Sequence, residues 1–209
     1  MNQASIKAII FDLGNVLVDF DHTIAAKRIA PFTDKTIREI FDLFFNSQIT
    51  GSFEAGRIAP LEFFREVKEM LNLRLDYAGF LPIWNEIFFL SEKNHLVYQL
   101  TRQLEPSYKL ALLSNINVLH FEYLKKNFSF FDVFDAVIAS CDIGATKPDP
   151  LIYQKTLEIL DVPANSVVYT DDRPELIDGA KQLGIRGFVF KGVEQLKRDF
   201  KTLGVSVYS

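Results

Sequence analysis

Four places along this chain carry side chains suited to polar chemistry, each just after a short apolar run: Asp12, Ser114 with Asn115, Lys147, and the pair Asp171 and Asp172. A polar residue closing an apolar run is common. A carboxylate, a hydroxyl, a lysine and an acid pair at successive run ends form a much rarer pattern. Carboxylates gathered on one edge would repel by about 4 kcal/mol per pair at about 4 Å and an effective dielectric of about 20. A hard divalent cation is therefore implied, and Mg²⁺ suits oxygen ligands that share it with a substrate phosphate. With that ion and Lys147 neutralising a phosphoryl group, Asp12 is placed to attack it and form an aspartyl-phosphate.

The elements that must position these residues are legible in the apolar pattern. Ile6 to Phe11, Lys109 to Leu113, Ala136 to Ala139, Val167 to Tyr169 and Gly187 to Phe190 read as buried parallel strands. Helical periodicity falls between the later strands, at Val118 to Asn127, Pro150 to Leu160, Pro174 to Leu183 and Val193 to Leu203. This alternation predicts an α/β fold with a doubly wound parallel sheet, whose ligands bind beyond the carboxyl ends of the strands. Roughly ninety residues separate the first strand from Lys109, far more than one crossover helix needs. The pattern there is helical, at Thr36 to Phe45, Leu61 to Leu71 and Tyr77 to Phe89, with no convincing strand. The predicted organisation is a core of residues 1–18 and 90–209 carrying an all-helical cap at 19–89, with a core helix starting at Ser91.

Composition bounds the function. The chain has 209 residues, 48% of them hydrophobic, and a net charge of -4, which suits one core with a small insertion. No basic excess points to nucleic acid, and no apolar run is long enough to span a bilayer. A single Cys141 and the absence of a secretory pattern near the N-terminus predict a cytoplasmic protein. The expected partner is a small phosphorylated metabolite, while oligomeric state is not legible.

The segments Phe-Asp12-Leu-Gly-Asn-Val, Leu-Leu-Ser114-Asn, Lys147-Pro and Val-Val-Tyr-Thr-Asp171-Asp172 resemble, in order and spacing, the four motifs of the haloacid dehalogenase superfamily of phosphohydrolases. The resemblance covers essentially the whole chain. It implies that Asp12 is the nucleophile, Ser114 holds a phosphoryl oxygen, and Lys147 bridges nucleophile and phosphate. It also implies Mg²⁺ held by Asp12, the carbonyl of Gly14, Asp172 and Asp171. The longer run from Phe11 to Asp21, and Phe53 to Ile58, are similar to the subgroup that includes bacterial α-D-glucose-1-phosphate phosphatase. A sugar phosphate is thus among the expected substrates. A phosphosugar mutase and a phosphometabolite-binding protein without turnover are the alternatives.

The departure from the family pattern is Gly14, where most of its phosphatases carry an aspartate that protonates the leaving group. That acid is absent, although general acid catalysis commonly contributes 10²- to 10⁴-fold. Haloalkanoate-cleaving members also lack it, but they dispense with the metal, which would leave Asp171 and Asp172 unexplained. Glycine also serves where a turn needs positive φ or close backbone approach. Asp19, Asp21 and His22 follow the motif as candidate acids, with a solvated linker as the ordinary alternative. Phe53, Glu54 and Arg57 read as a glycine-bounded turn able to reach the cleft; Glu54 and Arg57 are substrate-binding candidates, with Gly14, Asn115 and Asn117. His120 is a lesser candidate. Trp84, at helical spacing from Phe80 and Phe88, reads as core.

Overall fold

In a computed structural model that describes residues 5–207, the expected strands assemble into one parallel sheet. The chain ends at 1–4 and 208–209, assigned above to the core, lie outside the described residues. The strands are β1 Ala8–Phe11, β2 Asp19–Phe20, β3 Phe88–Phe89, β4 Lys109–Ser114, β5 Ala136–Ala139, β6 Val167–Asp171 and β7 Arg186–Val189. The five-stranded sheet has the order β5-β4-β1-β6-β7. Phe11 of β1 pairs with Leu112 of β4 on one side and Thr170 of β6 on the other. The strand order reverses at β1, so its carboxyl end opens into the crevice where such sheets bind ligands.

Alternation along the strands decides which face each residue buries. Ile9, Phe11, Leu110, Leu112 and Val168 pack with Leu100, Leu196 and Phe200 in one apolar layer. Ile10, Ala111, Leu113 and Tyr169 pack with Ile152, Tyr153 and Ile177 in the opposite layer. Both faces are therefore covered by helices, as a parallel sheet requires.

Five α-helices lie between β2 and β3: His22–Ile29, Ile37–Asn46, Gln48–Glu54, Pro60–Met70 and Tyr77–Asn85. They share an apolar cluster of their own, built around Phe44, Phe53, Phe63, Phe80 and Trp84. Trp84 is 1% exposed, in keeping with its reading as core.

Three expectations here need correction. The stretch 19–89 does contain strand: β2 and β3 pair antiparallel, Asp19 with Phe89 and Phe20 with Phe88, closing both ends of the helical insertion on each other. Strands of two residues are too short to show a period of two. The helix starting at Tyr77 accordingly stops at Asn85, because Phe88 and Phe89 are taken by that pairing. Phe53 and Glu54 lie in no turn; they end the helix Gln48–Glu54, with Ser47 as its N-cap. Phe53 is fully buried and stacks on Phe63 at 4.2 Å between ring centroids.

Candidate active site

The loop after β1 turns sharply. Asn15 N–H donates to the Val18 carbonyl at 2.8 Å, and Leu17 N–H to the Leu13 carbonyl at 2.9 Å. The left-handed residue of this turn is Asn15, φ 56°, and not Gly14, which corrects the positive-φ reading of that glycine. Asparagine tolerates that conformation better than most side chains. Gly14 instead gives Phe20 room: a Cβ on it would sit 2.8 Å from the Phe20 ring edge, so a larger residue there would have to displace that ring. Phe20 therefore occupies the side on which an acid at position 14 would project.

Lys147 is 4% exposed and ties the sheet edge together. Its Nζ shares its three protons among Asp12 Oδ1 at 2.6 Å, Asp171 Oδ2 at 2.7 Å, the Leu113 carbonyl at 3.0 Å and the Tyr169 hydroxyl at 3.0 Å. Asn115 holds the lysine backbone from both sides: Lys147 N–H donates to Asn115 Oδ1 at 2.7 Å, and Asn115 Nδ2 donates to the Lys147 carbonyl at 2.9 Å. Tyr169 hydrogen-bonds Asp171, whose Oδ1 also accepts from Arg173 N–H at 2.9 Å. Asp172, less buried, accepts from Asn15 Nδ2 at 2.9 Å.

The electrostatics follow from this crowding. Burial pushes Asp12 up to about 7 despite the opposing Lys147 charge. Burial likewise raises Asp172, against the hydrogen bond from Asn15. Burial disfavours the charge on Lys147, but Asp12 and Asp171 outweigh it and hold the ammonium above its ordinary value. One lysine among three carboxylates leaves negative charge uncompensated. Asp12, Asp171 and Asp172 can each offer an oxygen with all three within 4.8 Å of one another, a hard donor set that fits a small divalent cation.

A cleft of about 760 Å³ opens over this cluster, lined by Asp12, Gly14, Ser114, Asn115, Lys147 and Asp172. Glu54, His22, Asp21, Arg173 and Glu175 line its further walls, beside the phenylalanines 20, 41, 44 and 45.

Two substrate-binding expectations have no geometric support. Arg57 is exposed and does not line the cleft, because the chain has turned away after the helix Gln48–Glu54. Asn117 is 1% exposed and caps the helix Val118–Asn127, accepting from His120 N–H at 3.0 Å. Asn115 does line the cleft, but its amide is spent on the Lys147 backbone. Nor do the candidate acids of the linker have the required protonation. Burial acts to raise Asp19, yet hydrogen bonds from Lys93, Ser91 and Asn94 outweigh it and keep the carboxyl low. Hydrogen bonds from Thr23 lower Asp21, and burial drives His22 down to about 4, leaving it neutral near pH 7.

Sequence reasoning missed Tyr169, Asn15 and Arg173. For Tyr169 a signal existed: it stands two residues before Asp171 on a strand, so both side chains share a face.

A family model described as haloacid dehalogenase-like hydrolase matches residues 6–184. Drimenol cyclase drtB of Aspergillus calidoustus is 26% identical over 95% of this chain, which spans only 36% of that protein's length. Phosphatase MT3486 of Mycobacterium tuberculosis is 28% identical, covering 96% of both chains. Among solved structures, a wild-type HAD family enzyme of Bacteroides thetaiotaomicron in complex with magnesium and inorganic phosphate superposes with a TM-score of 0.80. It is 25% identical, covering 94% of this chain and 100% of the other.

Proposed function

The chain belongs to the haloacid dehalogenase-like hydrolases and is a phosphoric monoester hydrolase, and from that premise we propose a Mg²⁺-dependent phosphatase of a small phosphorylated metabolite. The observation that carries the reading is the buried Lys147 ammonium, 2.6 Å from Asp12 and 2.7 Å from Asp171, with Asp172 completing the cluster on the cleft floor.

In this reading Asp12 attacks the phosphorus and becomes an aspartyl-phosphate, which water then hydrolyses. Ser114 holds a phosphoryl oxygen, and the Lys147 ammonium bridges nucleophile and phosphate, aiming Asp12 and opposing the burial that raises it. Mg²⁺ would be held by Asp12, Asp172 and the Gly14 carbonyl, supplying charge neutralisation for the carboxylates and the phosphoryl group. Asp171 stands nearer Lys147, Tyr169 and the Arg173 backbone, so its part is to orient the lysine, with Asp172 as the direct ligand.

The insertion 19–89 acts as a cap domain over a core of 1–18 and 90–209, a division supported by its separate apolar cluster. The size of the cleft suits a sugar phosphate, and its phenylalanine wall also suits leaving groups with an apolar face. The lone free Cys141 supports a cytoplasmic setting.

Phosphate release from a panel of phosphorylated metabolites tests the reading. Release should require Mg²⁺, stop with EDTA, and be lost in Asp12→Asn while that variant keeps the wild-type fold by circular dichroism. Turnover in Asp12→Asn would overturn the nucleophile; isomer conversion without phosphate release would replace hydrolysis with a mutase reaction.

A further inference from the structure

Glycine at position 14 leaves a phosphatase site with a nucleophile and no adjacent proton donor, and Phe20 fills the space an acid there would use. The cleft nonetheless holds a carboxyl in the right kind of environment. Glu54, the last residue of the helix Gln48–Glu54, lines the cleft with Asp12, Ser114 and Lys147. It also lines a smaller recess of about 60 Å³ alongside Gly14, Phe20 and Ser114. Among the described residues its carboxyl makes no hydrogen bond or salt bridge, and Arg173 and Lys147 act on it only through their charges.

The backbone around Glu54 is pinned to the sheet edge. Ser140 Oγ donates to the Glu54 carbonyl at 2.6 Å and accepts from Ile116 N–H at 2.9 Å, linking the helix end to the loop that follows Ser114. Two residues on, Gly56 has φ 66°, and a Cβ there would lie 2.2 Å from the Cys141 carbonyl oxygen. Only glycine permits that approach.

We infer that Glu54 is the proton donor to the leaving-group oxygen, acting from the helical insertion in place of the acid missing at Gly14. As Asp12 Oδ bonds to phosphorus, the bond from phosphorus to the leaving oxygen breaks. Its electron pair goes to that oxygen, which takes the Glu54 proton. In the second half, the Glu54 carboxylate accepts a proton from the attacking water while the phosphorus–Asp12 bond breaks. Asp12 is regenerated, Glu54 is again protonated, and inorganic phosphate departs. No further reactant is needed.

The surroundings support the assignment. Burial raises the Glu54 carboxyl to about 7, against the charges of Arg173 and Lys147, so near neutrality it can both give and take a proton. The other cleft acids outside the Asp12 cluster do not share this: hydrogen bonds from Thr23 lower Asp21, and hydrogen bonds from its own N–H and from Arg173 lower Glu175.

The inference rests on the phosphatase reading, and the leaving-group dependence of Glu54→Gln separates the two. With alkyl phosphates, whose leaving oxygen is strongly basic, kcat should fall by roughly 10²- to 10⁴-fold. With p-nitrophenyl phosphate, which needs little protonation, the first half-reaction should be nearly unchanged in single-turnover measurements. Glu54→Asp should show an intermediate loss on alkyl esters. Equal losses for both ester types, or none, would overturn the role of Glu54 while leaving the phosphatase intact. Absence of phosphate release by the wild type itself would instead overturn the underlying reading. A melting temperature close to wild type in Glu54→Gln excludes misfolding as the cause.

Discussion

At the scale of single residues, the site depends on side chains that hold other groups as much as on those facing substrate. Asn115 shows this: its amide satisfies both the N–H and the carbonyl of Lys147, so it sets where the lysine backbone sits. Asn115→Ala should cost about 1–3 kcal/mol in urea melts, because two backbone groups lose their partners, and should lower kcat as the ammonium loses its aim. Wild-type stability and turnover in that variant would show the loop is held by other means. The residue types Asp12, Ser114, Lys147, Asp171 and Asp172 were legible in sequence because chemistry restricts which side chains can do their work. Arg57 was read as a candidate for the same reason. A cation near a motif looks functional whether or not the chain turns it toward the cleft.

At the scale of elements, strands and amphipathic helices were legible because burial on a defined face imposes a period. The long helices of the core appear within a residue or two of expectation, as Val118–Asn127 and Pro150–Leu160 show. The helix Gln48–Glu54 was not, since Thr50, Gly51 and Ser52 resemble a turn, and it is held by the Ser47 cap, the Thr50 bond to the Leu43 carbonyl and the packing of Phe53. That helix end is held by Ser140, which is fully buried between Ile116 and Glu54. Ser140→Ala leaves the Ile116 N–H and the Glu54 carbonyl without that partner. It should destabilise by about 1–3 kcal/mol and loosen 52–58 in hydrogen exchange ahead of the sheet. Uniform loss of protection across the chain would argue against a local strap.

At the scale of the whole molecule, the insertion and the core are joined through His120. Its Nε2 lies 2.9 Å from the Trp84 carbonyl and its Nδ1 lies 3.1 Å from Asn117 Nδ2. The carbonyl can only accept, so Nε2 carries the proton and Nδ1 accepts. Burial drives His120 down to about 3 from 6.5, so it is neutral when folded. With the folded value depressed, the unfolded chain binds the extra proton first; stability is fully present above 6.5 and falls as pH drops toward about 3. His22, lowered to about 4 by burial, acts in the same direction. The stability of wild type relative to His120→Gln should therefore fall by about 1.4 kcal/mol per pH unit below 6.5. Urea melts of both proteins at several pH values check this, and a difference that does not vary with pH would contradict it.

What the sequence by itself determined is the parallel α/β fold, the long helical insertion and the identity of the cluster at the strand ends, because all three are written in local period and residue type. The tertiary structure decided which of those residues meet. Asp12 and Lys147 are 135 positions apart and meet because β1 lies between β4 and β6, whose Leu113 carbonyl and Asp171 hold the same ammonium. It decided that Phe20 lies beside Gly14, that Arg57 stays exposed outside the cleft lining and that Glu54 is part of it. Such facts depend on side-chain direction and on contacts between segments distant in the chain, which no local pattern records.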